Sequence, residues 1–108
     1  MCFFKSKKAA EVKRDRELIE ENGRAAEALI ILAKDDKEIV KSLTDLKEKL
    51  KYLIPTDKAK VIQFDETIKR DMERLRSALT VSDGEFTHRI ESFLTQLKLT
   101  IADRNTYL

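Results

Sequence analysis

Glycine, proline and cysteine are scarce in this chain of 108 residues, and each scarcity excludes something. Two glycines and one proline mean that turns must be few. The glycines, Gly23 and Gly84, are isolated, so neither a phosphate-binding Walker loop nor a dinucleotide-binding motif exists. The single cysteine, Cys2, excludes an internal disulfide and a zinc site made of several cysteines. We therefore expect a fold without covalent or metal staples, in a reducing, cytoplasmic setting.

Long apolar runs are also missing. The richest stretch, Ala25 to Ala33, is nine residues long and contains Glu27. A helix needs roughly 20 apolar residues to cross a bilayer. The opening Met1-Cys2-Phe3-Phe4 is followed by charged residues, whereas a secretory signal places its charges before an apolar stretch. We expect neither a transmembrane helix nor a secretory signal.

A strong charge of one sign is absent as well. The 22 basic and 20 acidic residues give a formal net charge of +2, too small for a dedicated nucleic-acid binder. Six of the basic residues lie within residues 1–16, and five lysines lie within residues 47–60, where Glu48 and Asp57 dilute them. The pattern argues against nucleic acid as a partner.

Amphipathic helices are what the sequence does contain. One apolar stripe has steps of four and three residues, as along one seam of a helix, and ends before Pro55; its members are Ile39, Leu43, Leu46, Leu50 and Leu53. A second stripe recurs at a helical period: Val61, Phe64, Ile68, Met72, Leu75 and Leu79. A third follows the possible capping box Ser82–Glu85: Phe86, Ile90, Phe93, Leu97 and Ile101. Asp65 with Lys69, acid before base four residues apart, indicates a solvated face on the second helix.

The N-terminal third is harder to divide. Leu18, Ala25, Leu29 and Leu32 continue the phase of the first stripe, so one helix could extend from about Lys8 to Leu53. Asp36, however, can cap a fresh helix start after Lys34. We favour a break there.

These patterns predict an all-α fold, an antiparallel bundle of three to four helices. We expect a flexible tail over residues 1–7, a single bundle domain over 8–104 and a C-terminal tail over 105–108. The helices should span about residues 8–34, 36–53, 57–80 and 83–104, the last three pairing up-down-up. In the alternative, the first two fuse into one long helix that pairs with a second subunit.

Catalytic chemistry has little support. Glu85 and His88 have the E-x-x-H spacing of carboxylate-bridged di-iron bundles, but a single copy does not complete a ligand set. Cys2 has no histidine near it in sequence, so nucleophilic catalysis lacks a base. We expect no enzymatic activity, no metal, no cofactor and no small-molecule substrate.

The expected function is a non-enzymatic protein-protein interaction module, because the apolar run after Ala25 covers nearly the whole circumference of its helix. We expect a homo-oligomer or another helical partner. The candidate contact face is Leu29, Ile30, Leu32, Ile39 and Leu43. The alternative is a membrane-peripheral helper that contacts an anionic membrane surface. Its candidate residues are Cys2, Phe3, Phe4, Lys5, Lys7 and Lys8.

Overall fold

A computed structural model describes the backbone of residues 2–80 and 86–108, and the side chains of residues 8–80 and 89–108. Within these ranges the chain forms helices and no strand, which confirms the all-α bundle. The helices are α1 (Cys2–Leu32), α2 (Lys37–Lys51), α3 (Ala59–Thr80) and α4 (Phe86–Tyr107). The predicted capping box at Ser82 and Glu85 lies outside the described residues.

The break between α1 and α2 is present where the sequence favoured it. Asp36 has an extended backbone, with φ −112° and ψ 101°, and its carboxylate accepts hydrogen bonds from the main-chain N–H groups of Glu38 and Ile39 at 3.1 and 3.2 Å. These bonds satisfy two amides that a helix start leaves unpaired. The alternative of one helix through residues 8–53 is therefore wrong.

The helix boundaries differ from the predicted ones at both ends of the chain. α1 begins at Cys2, so most of the predicted tail of residues 1–7 has helical backbone. α4 continues to Tyr107, which leaves little of the predicted tail of residues 105–108. The loop before α3 is longer than predicted, because α3 starts at Ala59. Within this loop, Oγ1 of Thr56 accepts a hydrogen bond from the main-chain N–H of Lys58 at 3.1 Å.

The helices pack in the order α1, α2, α4, α3 around the bundle. Among the described residues, α1 lies next to α2 and α3, and α4 lies next to α3 and α2, whereas α2 and α3 lie on a diagonal and their backbones do not approach each other closely. The expected direct up-down-up pairing of the last three helices is therefore corrected: the segment 52–58 crosses the bundle diagonally. The segment 52–58 is long enough to join α2 to an adjacent α3 or to a diagonally placed one, so the sequence alone did not decide between these two arrangements.

The chain direction alternates from helix to helix. α1 and α3 begin at one end, the proximal end, where α2 and α4 finish; the other is the distal end. Two exposed ion pairs follow the parallel contact of α1 and α3: Arg14 with Glu66 and Glu21 with Lys69, each at 3.5 Å. The core between the helices is aliphatic, and it includes all five members of the first apolar stripe.

Candidate functional site

A cluster of charged side chains lies in the core near the proximal end. Asp15 from α1, Asp65 from α3 and Arg104 from α4 each have no solvent-exposed surface. Each lies on the inward stripe of its helix: Asp65 between Val61 and Ile68, and Arg104 one turn after Ile101. Three helices thus bring one guanidinium and two carboxylates together.

Arg104 holds the cluster together through charge-assisted hydrogen bonds. Its Nε donates to Oδ1 of Asp65 at 2.7 Å, and its Nη2 donates to Oδ2 of Asp65 at 3.2 Å, a side-on pair. The same Nη2 lies 3.3 Å from Oδ2 of Asp15 and 2.9 Å from the main-chain oxygen of Ile54. Because Nη2 carries two hydrogens and meets three acceptors, at least one hydrogen is shared.

Two further hydrogen bonds connect the cluster to the backbone. The main-chain N–H of Thr56 donates to Oδ2 of Asp15 at 2.9 Å, and Nδ2 of buried Asn22 donates to the main-chain oxygen of Asp65 at 3.1 Å. The segment 52–58 is therefore attached to the cluster through both Ile54 and Thr56. The cluster joins α1, α3, α4 and this segment in one polar network.

The charges of the cluster do not balance when every group is ionised, because two carboxylates face one guanidinium. Burial raises the pKa of Asp65, the neighbouring carboxyl group of Asp15 raises it further, and Arg104 opposes both; the resulting pKa is about 7, against an ordinary value of 3.8. Oδ1 of Asp15 and Nη1 of Arg104 are buried without a hydrogen-bond partner. Burial and the second carboxyl group therefore favour the protonated form of Asp65 relative to a solvated aspartate.

The burial of the cluster is typical of a structural polar network and not of a binding site open to solvent. Neither carboxylate nor the guanidinium is open to solvent, so a dissolved substrate would reach them after local opening of the helices and not before. The described residues contain no group of three or more histidine, cysteine, aspartate or glutamate side chains placed to hold a metal ion. Glu85 and the side chain of His88 lie outside the described residues.

Sequence reasoning missed this cluster and placed Asp65 on a solvated face with Lys69. That interpretation is wrong: Asp65 pairs with Arg104, while Lys69 pairs with Glu21. The missed signal was a polar residue in phase with apolar neighbours, which Asp65 and Arg104 both show.

The predicted contact face on α1 and α2 is divided by the fold. Leu29, Ile39 and Leu43 are buried inside the single chain, Ile30 is half-buried, and Leu32 is 46% exposed. Leu29, Ile39 and Leu43 therefore pack against the chain's own helices. Leu32 remains available at the surface.

The predicted membrane-contact residues lie at the start of α1. The side chains of Cys2, Phe3, Phe4, Lys5 and Lys7 are outside the described part of the chain, and Lys8 is exposed. Within that described part, none of the helices combines the length and the apolar character that crossing a bilayer requires.

An apolar surface is formed on α1 toward the distal end. Ile31 is 65% exposed, Leu32 is 46% exposed, and both lie one turn after exposed Ala28. Ala25 and Ala28 also line a groove of about 220 Å³ between α1 and α3, together with Leu29 and Met72. We call the exposed part of this surface, Ala28, Ile31 and Leu32, the α1 strip.

Comparison with known proteins assigns no relative. No family model matches the chain, and no significant match was found among curated proteins or solved structures.

Proposed function

We propose that the chain is a non-enzymatic helical interaction module that self-associates through the α1 strip. The observation that carries this proposal is the exposure of two adjacent large aliphatic side chains, Ile31 at 65% and Leu32 at 46%. A single exposed leucine is ordinary, whereas neighbouring aliphatic side chains beside an apolar groove are typical of a contact surface.

The shape of the surface suits a helix as the contacting element. Ala25 and Ala28 are small, so they allow a second helix to approach the backbone of α1 closely. An amphipathic helix that presents large aliphatic side chains could fill the groove between α1 and α3. The α1 strip itself presents such side chains, so a second copy of the chain supplies a matching element.

The charges around the groove are compatible with a second copy. Glu21 and Glu73 on its rim are balanced by Lys69 and Arg76. Identical surfaces that carry one sign of charge would repel each other across a twofold axis, but a balanced rim imposes no such repulsion. These features favour an isologous dimer, in which each copy contributes the same surface.

Light scattering behind a sizing column tests the proposal. We expect the wild-type chain to be a dimer and the Ile31→Glu/Leu32→Glu variant to be a folded monomer, because two buried charges would oppose association. Leu29 is left unchanged, since it belongs to the core.

Leu99→Glu is the matched control, because Leu99 is 54% exposed on α4, the helix diagonally opposite α1. It should remain dimeric, and circular dichroism should show equal helicity for all three proteins. A wild-type chain that stays monomeric at the highest soluble concentration would refute the proposed self-association.

A further inference from the structure

The proximal end brings together residues that are far apart in the sequence. Arg104 donates to the main-chain oxygen of Ile54, and one turn later α4 carries Tyr107. Lys58 Nζ donates to the main-chain oxygen of Leu108 at 3.2 Å, which places the start of α3 beside the end of α4. The segment 52–58 and the last turn of α4 therefore form one surface.

This surface exposes large apolar side chains. Of the seven that are exposed among the described residues, four lie here, so apolar exposure is concentrated at the proximal end. They are Tyr52 at 72%, Ile54 at 65%, Tyr107 at 47% and Leu108 at 44%.

Lysines surround these apolar side chains. Residues 47–60 hold five lysines and two acidic residues, and Lys51, Lys58 and Lys60 are all exposed. Lys60 Nζ lies 4.1 Å from the ring centre of Tyr107, whose ring stacks on Phe64 with 5.5 Å between centroids. Lys51 Nζ is similarly 5.8 Å from the ring centre of Tyr52. Each tyrosine therefore has a cation beside it.

The start of α1 adds basic residues on the same side. α1 passes the buried cluster at Asp15 and continues toward Cys2, beyond the ends of α2 and α4. Three exposed basic residues lie on this part of α1, namely Lys8, Lys13 and Arg14, and Arg14 also pairs with Glu66. Glu11 is their half-buried acidic neighbour. Two clusters that are separate in the sequence thus share one end of the molecule.

We propose that the proximal end docks on an anionic membrane surface, its tyrosines and Ile54 at headgroup level and its lysines against lipid phosphates. Tyrosine is amphipathic and is enriched at the membrane-water interface, and lysine attracts anionic headgroups. Lysine stems also cover apolar surface while their ammonium groups stay in water.

The exposed Ile54 favours a membrane over a nucleic acid. A nucleic-acid surface uses cations and stacking rings, but it gives an aliphatic side chain no apolar environment unless a groove is entered. The interfacial region of a bilayer accepts aliphatic, aromatic and cationic side chains together. The surface is independent of self-association, because the α1 strip lies toward the distal end.

Vesicle flotation of the full chain tests this inference. We expect binding to vesicles of phosphatidylcholine mixed with phosphatidylserine and little binding to phosphatidylcholine alone. Lys58→Glu/Lys60→Glu should weaken the partition coefficient at least about thirtyfold, because two attractive charges are reversed. Tyr52→Ser/Ile54→Ser should weaken vesicle binding as well, because it removes the two side chains placed at headgroup level. Both are exposed, so the core should stay intact.

The control is Lys37→Glu/Lys41→Glu, which makes the same change in net charge on exposed residues of α2 toward the distal end. It should bind as the wild type does. Equal loss in this control would overturn the proposal, since binding would then follow net charge and not the proximal end. The proposal would also be overturned if Phe3→Ser/Phe4→Ser abolished vesicle binding while the variants at Lys58/Lys60 and Tyr52/Ile54 bound as the wild type does. Binding to a DNA duplex but not to vesicles would overturn it too.

Discussion

Asp65 is buried beside a second carboxylate, that of Asp15, and beside one guanidinium, that of Arg104. With all three groups ionised, an uncompensated negative charge would remain in the core, where charge is poorly solvated. A proton on one carboxyl removes that charge, which is the physical reason for the raised pKa of Asp65. We therefore expect this cluster to make the stability of the bundle sensitive to pH.

The pH dependence has a defined sign. The pKa of Asp65 is about 7 in the folded chain and 3.8 as an ordinary value, so between these pH values the folded chain holds a proton that the unfolded chain has lost. The free energy of unfolding should fall as pH rises through this window and stop changing on this account above it. Urea denaturation at several pH values measures the effect.

Asp65→Asn isolates this contribution, because the amide keeps the shape of the carboxyl and does not titrate. As pH rises from 3.8 to about 7, the free energy of unfolding of the wild type should fall relative to that of the variant. A difference that stays constant from acid to neutral pH would contradict the assignment of the proton to this cluster.

The break between α1 and α2 depends on one capping side chain. Asp36→Ala removes the acceptor for the amides of Glu38 and Ile39 and should lower the free energy of unfolding by about 1 kcal/mol. Thermal or urea denaturation would show it. The adjacent exposed Asp35 is the control, and Asp35→Ala should change stability by much less; equal losses would show that the cap is not what matters.

The helices were largely predictable, whereas their arrangement was not. The stripe from Ile39 to Leu53 and the cap at Asp36 are local patterns, and local patterns determine where a helix forms. Whether α2 lies next to α3 or diagonally across from it depends on contacts around the whole bundle, and a loop of seven residues between Lys51 and Ala59 permits both arrangements.

The buried cluster was beyond the reach of local patterns for a similar reason. Asp65 with Lys69 four residues later is as compatible with a solvated face as with burial. What decides the matter is Arg104, which lies 39 residues away in the sequence and reaches Asp65 once α3 and α4 pack. For the contact face, the sequence identified apolar residues of α1 but did not separate core from surface, so Leu29 and Leu32 received the same interpretation.

On the scale of the whole molecule, Arg104 connects three other parts of the chain in the proximal half of the bundle. It is bonded to side chains of α1 and α3 and to the main chain at Ile54, so one residue of α4 contacts three other parts of the chain. The aliphatic core continues through both halves, since it includes Ile19 and Ile101 beside the cluster as well as Leu43 toward the distal end. The proximal half therefore adds a buried polar network to aliphatic packing that both halves share.

Arg104→Met should destabilise the fold by about 3–5 kcal/mol, because it leaves two carboxylates buried without their cation. The free energy of unfolding of a small domain is about 5–15 kcal/mol, so this loss would be a large fraction of it. Urea denaturation measures it, and Arg14→Met, which removes an exposed ion pair with Glu66, should cost less than about 1 kcal/mol.

A second variant separates charge from packing. Adding Asp15→Asn and Asp65→Asn to Arg104→Met removes the buried charges altogether and should recover part of the lost stability. No recovery would show that Arg104 acts through its volume and not through its charge.

The proton held at Asp65 also has a calorimetric consequence. In mildly acidic solution the folded chain carries up to one positive charge more than the unfolded chain does, and unfolding gives that proton to the buffer. The heat absorbed on unfolding then includes the heat of protonating the buffer. The apparent enthalpy of unfolding accordingly belongs to the protein together with its solvent, and it differs between buffers of unequal ionisation heat at the same pH.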